Sequence, residues 1–275
     1  MPMPISANQP PDPDDPRFIR GIYNYCDRWC DRCEFSHRCY SFARNERYFG
    51  DDPEARDSSN KKFWDTLGRI FTDIQASLQR AAESDGVSLD AHALAVATAH
   101  EKHVERRARA RGLRESKSAM SYALMVDEWF NNELRQPLAH VRELGRQVEA
   151  GTVRVAEAKG ELVRLNDCVE VLRWYQHFIF VKLGRAFSSL VEEEEYGLPT
   201  DADSGAQSSS DSNGSAKTAL VAIDRSISAW AAMREMFPDK TDCILELLVH
   251  LGRLMHGVEN KFPRARAFQR PGFDE

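Results

Sequence analysis

No stretch of this sequence approaches the ~20 consecutive apolar residues of a membrane-spanning helix, which excludes a transmembrane segment. Glycine-rich phosphate loops, a nucleophile elbow and the H-E-x-x-H helix of zinc proteases are missing, and with them the simplest grounds for naming a reaction class. Period-two alternation of apolar and polar residues is missing too, so no sheet is expected, and no internal repeat points to a solenoid. The stretch from Met1 to Arg17 is rich in Pro and Asp, with neither a basic nor an apolar signal-peptide region. It is read as a disordered arm on a cytoplasmic protein. A net charge of −6 gives no global pull toward nucleic acid or an anionic membrane.

What is present is helical. Phe63, Leu67, Ile70, Phe71, Ile74 and Leu78 recur at three- and four-residue steps, one face of an amphipathic helix that ends near Gly86. Ser88 is a candidate N-cap for a second helix, whose later half, His100 to Arg114, is crowded with charge. A third is expected from Ser118 to Gly151, kinked or broken at Pro137, where a backbone donor is lost, and terminated by Gly151. The fourth segment, Val155 to Glu195, carries Leu162, Leu165, Val169, Leu172, Gln176, Ile179, Leu183 and Ala186 at alternating three-four spacing. Around Phe178 to Val181 it is apolar on nearly every side, which predicts neighbours all round. Two more helices follow a Ser- and Asp-rich stretch, one marked by Ala219, Ile223, Ile227, Trp230 and Met233, the other by Ile244, Leu248, Leu251, Met255, Val258 and Phe262.

The expected architecture is therefore all-α, a bundle of about six helices preceded by a cysteine-rich metal-binding segment. Residues 1–17 are read as the arm, 18–60 as the cysteine-rich segment with a polar connector, and 61–198 as the bundle. Residues 199–216 form a flexible linker, and 217–275 add two helices and an ordered tail.

Four of the six cysteines, Cys26, Cys30, Cys33 and Cys39, fall in one short run with spacing C-x3-C-x2-C-x5-C, whereas Cys168 and Cys243 stand alone within helical patterns. Crowded thiolates repel one another and lose hydration, so a cation that takes up their charge best explains the cluster. A reducing cytosol makes disulfides the minority reading. Structural zinc is usually held by paired C-x2-C knuckles, and only Cys30 and Cys33 make one here, with His37 as a substitute ligand. A 4Fe-4S iron-sulfur cluster is wrapped more readily by one short segment, under hydrophobic cover of the kind Tyr23, Tyr25, Trp29, Phe35, Tyr40 and Phe42 provide. The first three cysteines match radical SAM spacing, but the chain lacks the β/α pattern of those enzymes and Cys39 supplies a fourth ligand. The remaining alternatives are a redox-active thiol set or disulfides.

The run Asn24 to Cys39 (NYCDRWCDRCEFSHRC) and the closing Lys261 to Glu275 (KFPRARAFQRPGFDE) resemble a group of uncharacterised bacterial proteins. Those proteins open with Y-C-D-x-W-C-x-R-C and end in F-P-x-A-R-x-F-x-R-P-G-F-D. The resemblance implies a ligand role for Cys26, Cys30, Cys33 and Cys39, implies that the tail is ordered, and carries over nothing catalytic. From the residues alone, Phe262, Phe268 and Phe273, punctuated by Pro263 and Pro271, read as an extension strapped onto the body.

Weaker signals have plainer readings. His100 and His103 with Glu101 and Glu105 sit on a charged helix expected to be solvated, and Glu170 with His177 reads as a polar contact inside the bundle. Glu246, His250 and Arg253 share one face of the last helix, read as solvated or ion-paired. The basic run Arg106, Arg107, Arg109, Arg111 and Arg114 supports an alternative in which zinc staples a nucleic-acid-binding or regulatory protein. The primary expectation is an iron-sulfur protein serving redox or sensing, with a protein redox partner and no membrane.

Overall fold

The chain divides into a first unit, Met1–Val104 with Gln269–Glu275, and a second, Glu105–Phe268. A computed structural model describes residues 11–86, 89–133, 135–196 and 210–274. The expectations for residues 1–10, for Ser88 as a cap, and for residues 199–209 of the linker lie outside the described residues. Every regular element described is helical, and no described helix is long and apolar enough to cross a membrane.

Nine α-helices appear among the described residues, against an expectation of about six. Two of the additional ones are short and rest on caps rather than on an apolar period. α1 (Tyr40–Phe49) ends at Gly50, whose φ of 57° closes the helix, and Arg56 Nε donates to the Gly50 carbonyl at 2.8 Å. α2 (Pro53–Arg56) has Pro53 in its first turn and is capped by Asp52, whose carboxylate accepts from the Glu54 N–H at 3.0 Å. A single turn of this kind leaves no three-four pattern to read.

α3 (Lys61–Ser84) begins at the Asn60 cap, where Phe63 stacks on Phe49 at 5.8 Å. Thr66, on the same helix, is buried. The expected apolar stripe is present but only its first half is covered: Phe71, Ile74 and Leu78 are exposed. The helix ends as expected, at Asp85 and Gly86 (φ 65°). α4 (Leu89–Gly112) contains the division between the units, which falls after Val104.

The second unit is a helical bundle. The expected third helix is described as two segments, α5 (Arg114–Glu133) and α6 (Arg135–Glu149). Residue 134 lies outside the described residues, and Pro137 lies within the helical segment that follows it. Gly151 (φ 71°) terminates α6, with the Thr152 N–H reaching back to the Gln147 carbonyl at 2.9 Å. α7 (Val155–Tyr196) is the spine, 42 residues or about 63 Å of helix, and Leu165, Leu172, Gln176, Ile179, Leu183 and Ala186 are buried as the spacing predicts. Val181 is the exception, 60% exposed, so the spine is open on one side at the point where neighbours all round were expected.

α8 (Asp211–Met236) lies along α7 and buries Gly214, Ser215, Ala216, Ala219, Ala222 and Ser226, small residues that let the two helices approach closely. It starts inside the stretch read as linker, because Ser210 caps it and the Glu193 carboxylate accepts from Ser210 Oγ (2.8 Å), Ser212 Oγ (2.7 Å) and the Ser212 N–H (3.2 Å). α9 (Thr241–Lys261) buries Ile244, Leu247, Leu251, Leu254 and Val258, a face turned slightly from the one expected. Phe262 packs on Phe187 at 5.0 Å, and Ala265 and Phe268 are buried beyond it. The centre of the core holds Trp230, Tyr122, Tyr175 and Phe130, each worth roughly 1.5–3 kcal/mol in apolar burial.

Candidate metal centre

The segment that carries the four cysteines is shaped by successive tight turns around buried Phe18 and Ile22. Short 3-10 turns at Ile22–Asn24, Cys30–Arg32 and Ser36–Arg38 lead into α1, for which Cys39 is the N-cap residue. Between Cys26 and Cys30 the chain reverses at Arg28, whose φ of 61° is left-handed and costs a non-glycine residue about 1–2 kcal/mol. Asp27 steadies the reversal by accepting from the Trp29 N–H at 3.1 Å. The Arg32 guanidinium covers the Trp29 ring at 4.0 Å. The Ile19 N–H donates to the Arg38 carbonyl at 3.0 Å, tying the start of the segment to its end.

These turns bring Cys26, Cys30, Cys33 and Cys39 to the wall of one small pocket with about 20 Å³ of free space. Ile22, Tyr23, Trp29, Phe42 and Phe273 make most of the rest of the lining. All four thiols are half-buried and none is in a disulfide. Burial, and then the proximity of Cys26, Cys39 and Cys33, push the Cys30 thiol up to about 11, and burial likewise raises Cys33. Without a cation, then, these two sulfurs stay protonated at neutral pH. Cys26 donates weakly to the Tyr23 carbonyl at 3.6 Å. Among the described residues no group of three or more His, Cys, Asp or Glu side chains is arranged so that it could hold a metal ion.

Of the expected aromatic cover, Tyr23, Trp29 and Phe42 line the pocket. Phe35 supports it from behind, and Tyr40 turns away to meet Phe18 edge-on at 5.7 Å. His37, the substitute ligand, is exposed in the turn Ser36–Arg38 and is not part of the pocket wall. Ile22 and Phe273 line the pocket without having been anticipated there. Ile22 is an isolated apolar residue before the motif, and Phe273 is separated from the cysteines by nearly the whole sequence.

The other candidates settle into structural roles. His100, Glu101, His103 and Glu105 are exposed. Arg106 is buried in the second unit, pairing with Glu192 (2.7 Å) and Glu195 (2.9 Å) and lying over the Tyr196 ring, while Arg109 takes the other Glu195 oxygen at 3.2 Å. His177 faces Asp127 at 3.7 Å, and Glu170 accepts from Asn166 at 2.7 Å. His250 is not solvated as expected: its Nε2 lies 2.8 Å from the Ser118 carbonyl oxygen, and its ring stacks on Tyr122.

Compared with known proteins, the chain matches no family model, no characterised protein and no solved structure.

Proposed function

We propose that Cys26, Cys30, Cys33 and Cys39 hold a metal centre, a 4Fe-4S cluster in preference to zinc, and that the protein uses it for redox or sensing in the cytoplasm. The observation that carries this reading is that four thiols from successive turns wall one apolar, aromatic-lined pocket. Such a cluster supplies reversible one-electron chemistry, tuned by the hydrophobic shell and by solvent access. The donor set suits it: four thiolates complete the ligation of a cubane, and Trp29, Tyr23 and Phe42 provide a dry surround. The chain's own part is to supply the thiolates, exclude water and present the centre to a protein electron donor or acceptor.

The zinc-stapled, nucleic-acid-binding alternative loses ground because Arg106 and Arg109 are engaged by Glu192 and Glu195. Protein purified without oxygen is expected to be brown, to absorb broadly near ~400 nm and to contain about four irons per chain. Colourless protein with one zinc, unaffected by Cys33→Ser, would overturn the reading.

A further inference from the structure

The pocket wall is not made by the cysteine segment alone. Gln269–Glu275 belongs to the first unit although the residues just before it belong to the second, and within it Phe273 reaches the pocket lined by the four thiols. There its ring meets Phe35 edge-on, with centroids 5.2 Å apart and planes at 84°.

The rest of the segment is built to hold that ring in place. Arg270 and Asp274 form a closed loop across the turn: the Arg270 N–H and Nε both donate to one Asp274 oxygen at 3.0 Å, and Nη2 donates to the other at 2.8 Å. The same guanidinium sits 5.1 Å from the Phe273 ring centroid, and the Phe273 N–H returns to the Arg270 carbonyl at 3.0 Å. Between them Gly272 adopts φ 78° and approaches the side chains of Ile19 and Ile22 so closely that a Cβ there would stand 2.9 Å from Ile19 Cδ1. A turn that requires glycine for its dihedral and packs it against two isoleucine side chains marks a fitted seat rather than a loose end.

Resting on the cysteine pocket as the functional site, we infer that Gln269–Asp274 is an access-controlling strap: it seats Phe273 as the outer wall of the pocket and sets how readily solvent, oxidants and metal reach the four thiols. The two segments that carry the resemblance noted in the sequence thereby act on a single site.

The test uses the full chain stripped of metal and fully reduced, so that its readout does not depend on what the pocket binds. Iodoacetamide labelling is followed residue by residue by peptide mass spectrometry, with exposed Cys243 as the internal standard. Phe273→Ala, and a chain ending at Phe268, are expected to raise the labelling rates of Cys30 and Cys33 relative to Cys243 by about tenfold. Phe273→Leu, which keeps an apolar wall, should restore most of the protection. Gly272→Ala should behave like Phe273→Ala. If the truncated chain does not fold, the Phe273→Ala and Phe273→Leu pair decides alone. Labelling that is unchanged in Phe273→Ala, or equally fast in Phe273→Leu, would overturn the strap. Protection lost in Phe273→Ala but no metal bound by the parent would leave the strap standing and remove the metal reading. Metal bound tightly with labelling unaffected by Phe273 would do the reverse.

Discussion

Trp230 donates its indole N–H to the hydroxyl of Tyr122 at 3.0 Å, and both side chains are completely buried. Ser226, itself donating to the Ala222 carbonyl at 2.9 Å, is the second hydrogen-bonding side chain on the phenol. A polar chain thus runs through the core of the second unit between α5 and α8.

Removing its middle member isolates a buried donor. Tyr122→Phe leaves the Trp230 N–H without its acceptor in a dry site and is expected to destabilise the second unit by about 1–3 kcal/mol. Urea unfolding should show a lower midpoint with an unchanged slope. A loss within experimental error would mean that Trp230 finds another acceptor.

The same residue gives an alkaline limit. Burial pushes the Tyr122 phenol up to about 12, whereas an unfolded tyrosine loses its proton near pH ~10. Above that pH the unfolded chain binds fewer protons than the native one, so stability falls as pH rises. The contribution is full below pH ~10 and is lost by about pH 12, on the order of 2–3 kcal/mol in all. Unfolding free energies measured across this window should decline more steeply for the parent than for Tyr122→Phe. Parallel declines would contradict the assignment.

Glu193 fixes where α8 begins. Its carboxylate takes two serine hydroxyls and a backbone N–H at the helix start. Glu193→Ala should cost about 1–2 kcal/mol and speed amide exchange at Ser212 and Asn213, with Glu193→Gln intermediate because one acceptor oxygen survives. Exchange confined to other parts of α8 would show that the cap is held by Ser210 alone.

The cysteines should separate into two groups. Serine at Cys26, Cys30, Cys33 or Cys39 is expected to lower metal content sharply, and serine at Cys168 or Cys243 to leave it unchanged, as read by elemental analysis of anaerobically prepared protein. Retention of full metal by any of the first four removes that residue from the ligand set.

How far the sequence announced this structure depends on range. α7 was readable residue by residue because Leu165, Leu172, Ile179 and Leu183 keep a strict helical period, and Gly86 and Gly151 terminate helices where the pattern stops. The kink or break expected at Pro137 is not placed, because Pro137 lies within α6 and residue 134 before it lies outside the described residues. α1 and α2 were not readable, because Asp52 and Gly50 define them through caps. Arg106 was misread for a related reason. In a run of arginines it reads as a candidate phosphate contact, and only the arrival of Glu192 and Glu195 from far along the chain explains its burial. The exposed half of the α3 stripe shows the converse, since Phe71 and Leu78 have helical spacing without cover. At the candidate centre the cysteine spacing identified four wall residues, while Phe273 was readable as part of a strapped-down tail but not as a wall of this pocket, because that role exists only once distant chain has folded back.

That return of distant chain has a consequence for timing. The cysteines leave the ribosome early, but Phe273 follows more than two hundred residues later, about 10–50 s at typical rates of synthesis of ~5–20 residues per second. Throughout that interval the pocket has its thiols and lacks its outer wall. On the proposed reading, newly made chains therefore pass through a loading window in which a metal or a delivery protein has free access. The window shuts when Phe273 reaches Phe35, so any assembly of the centre is favoured before the fold is complete and slowed afterwards.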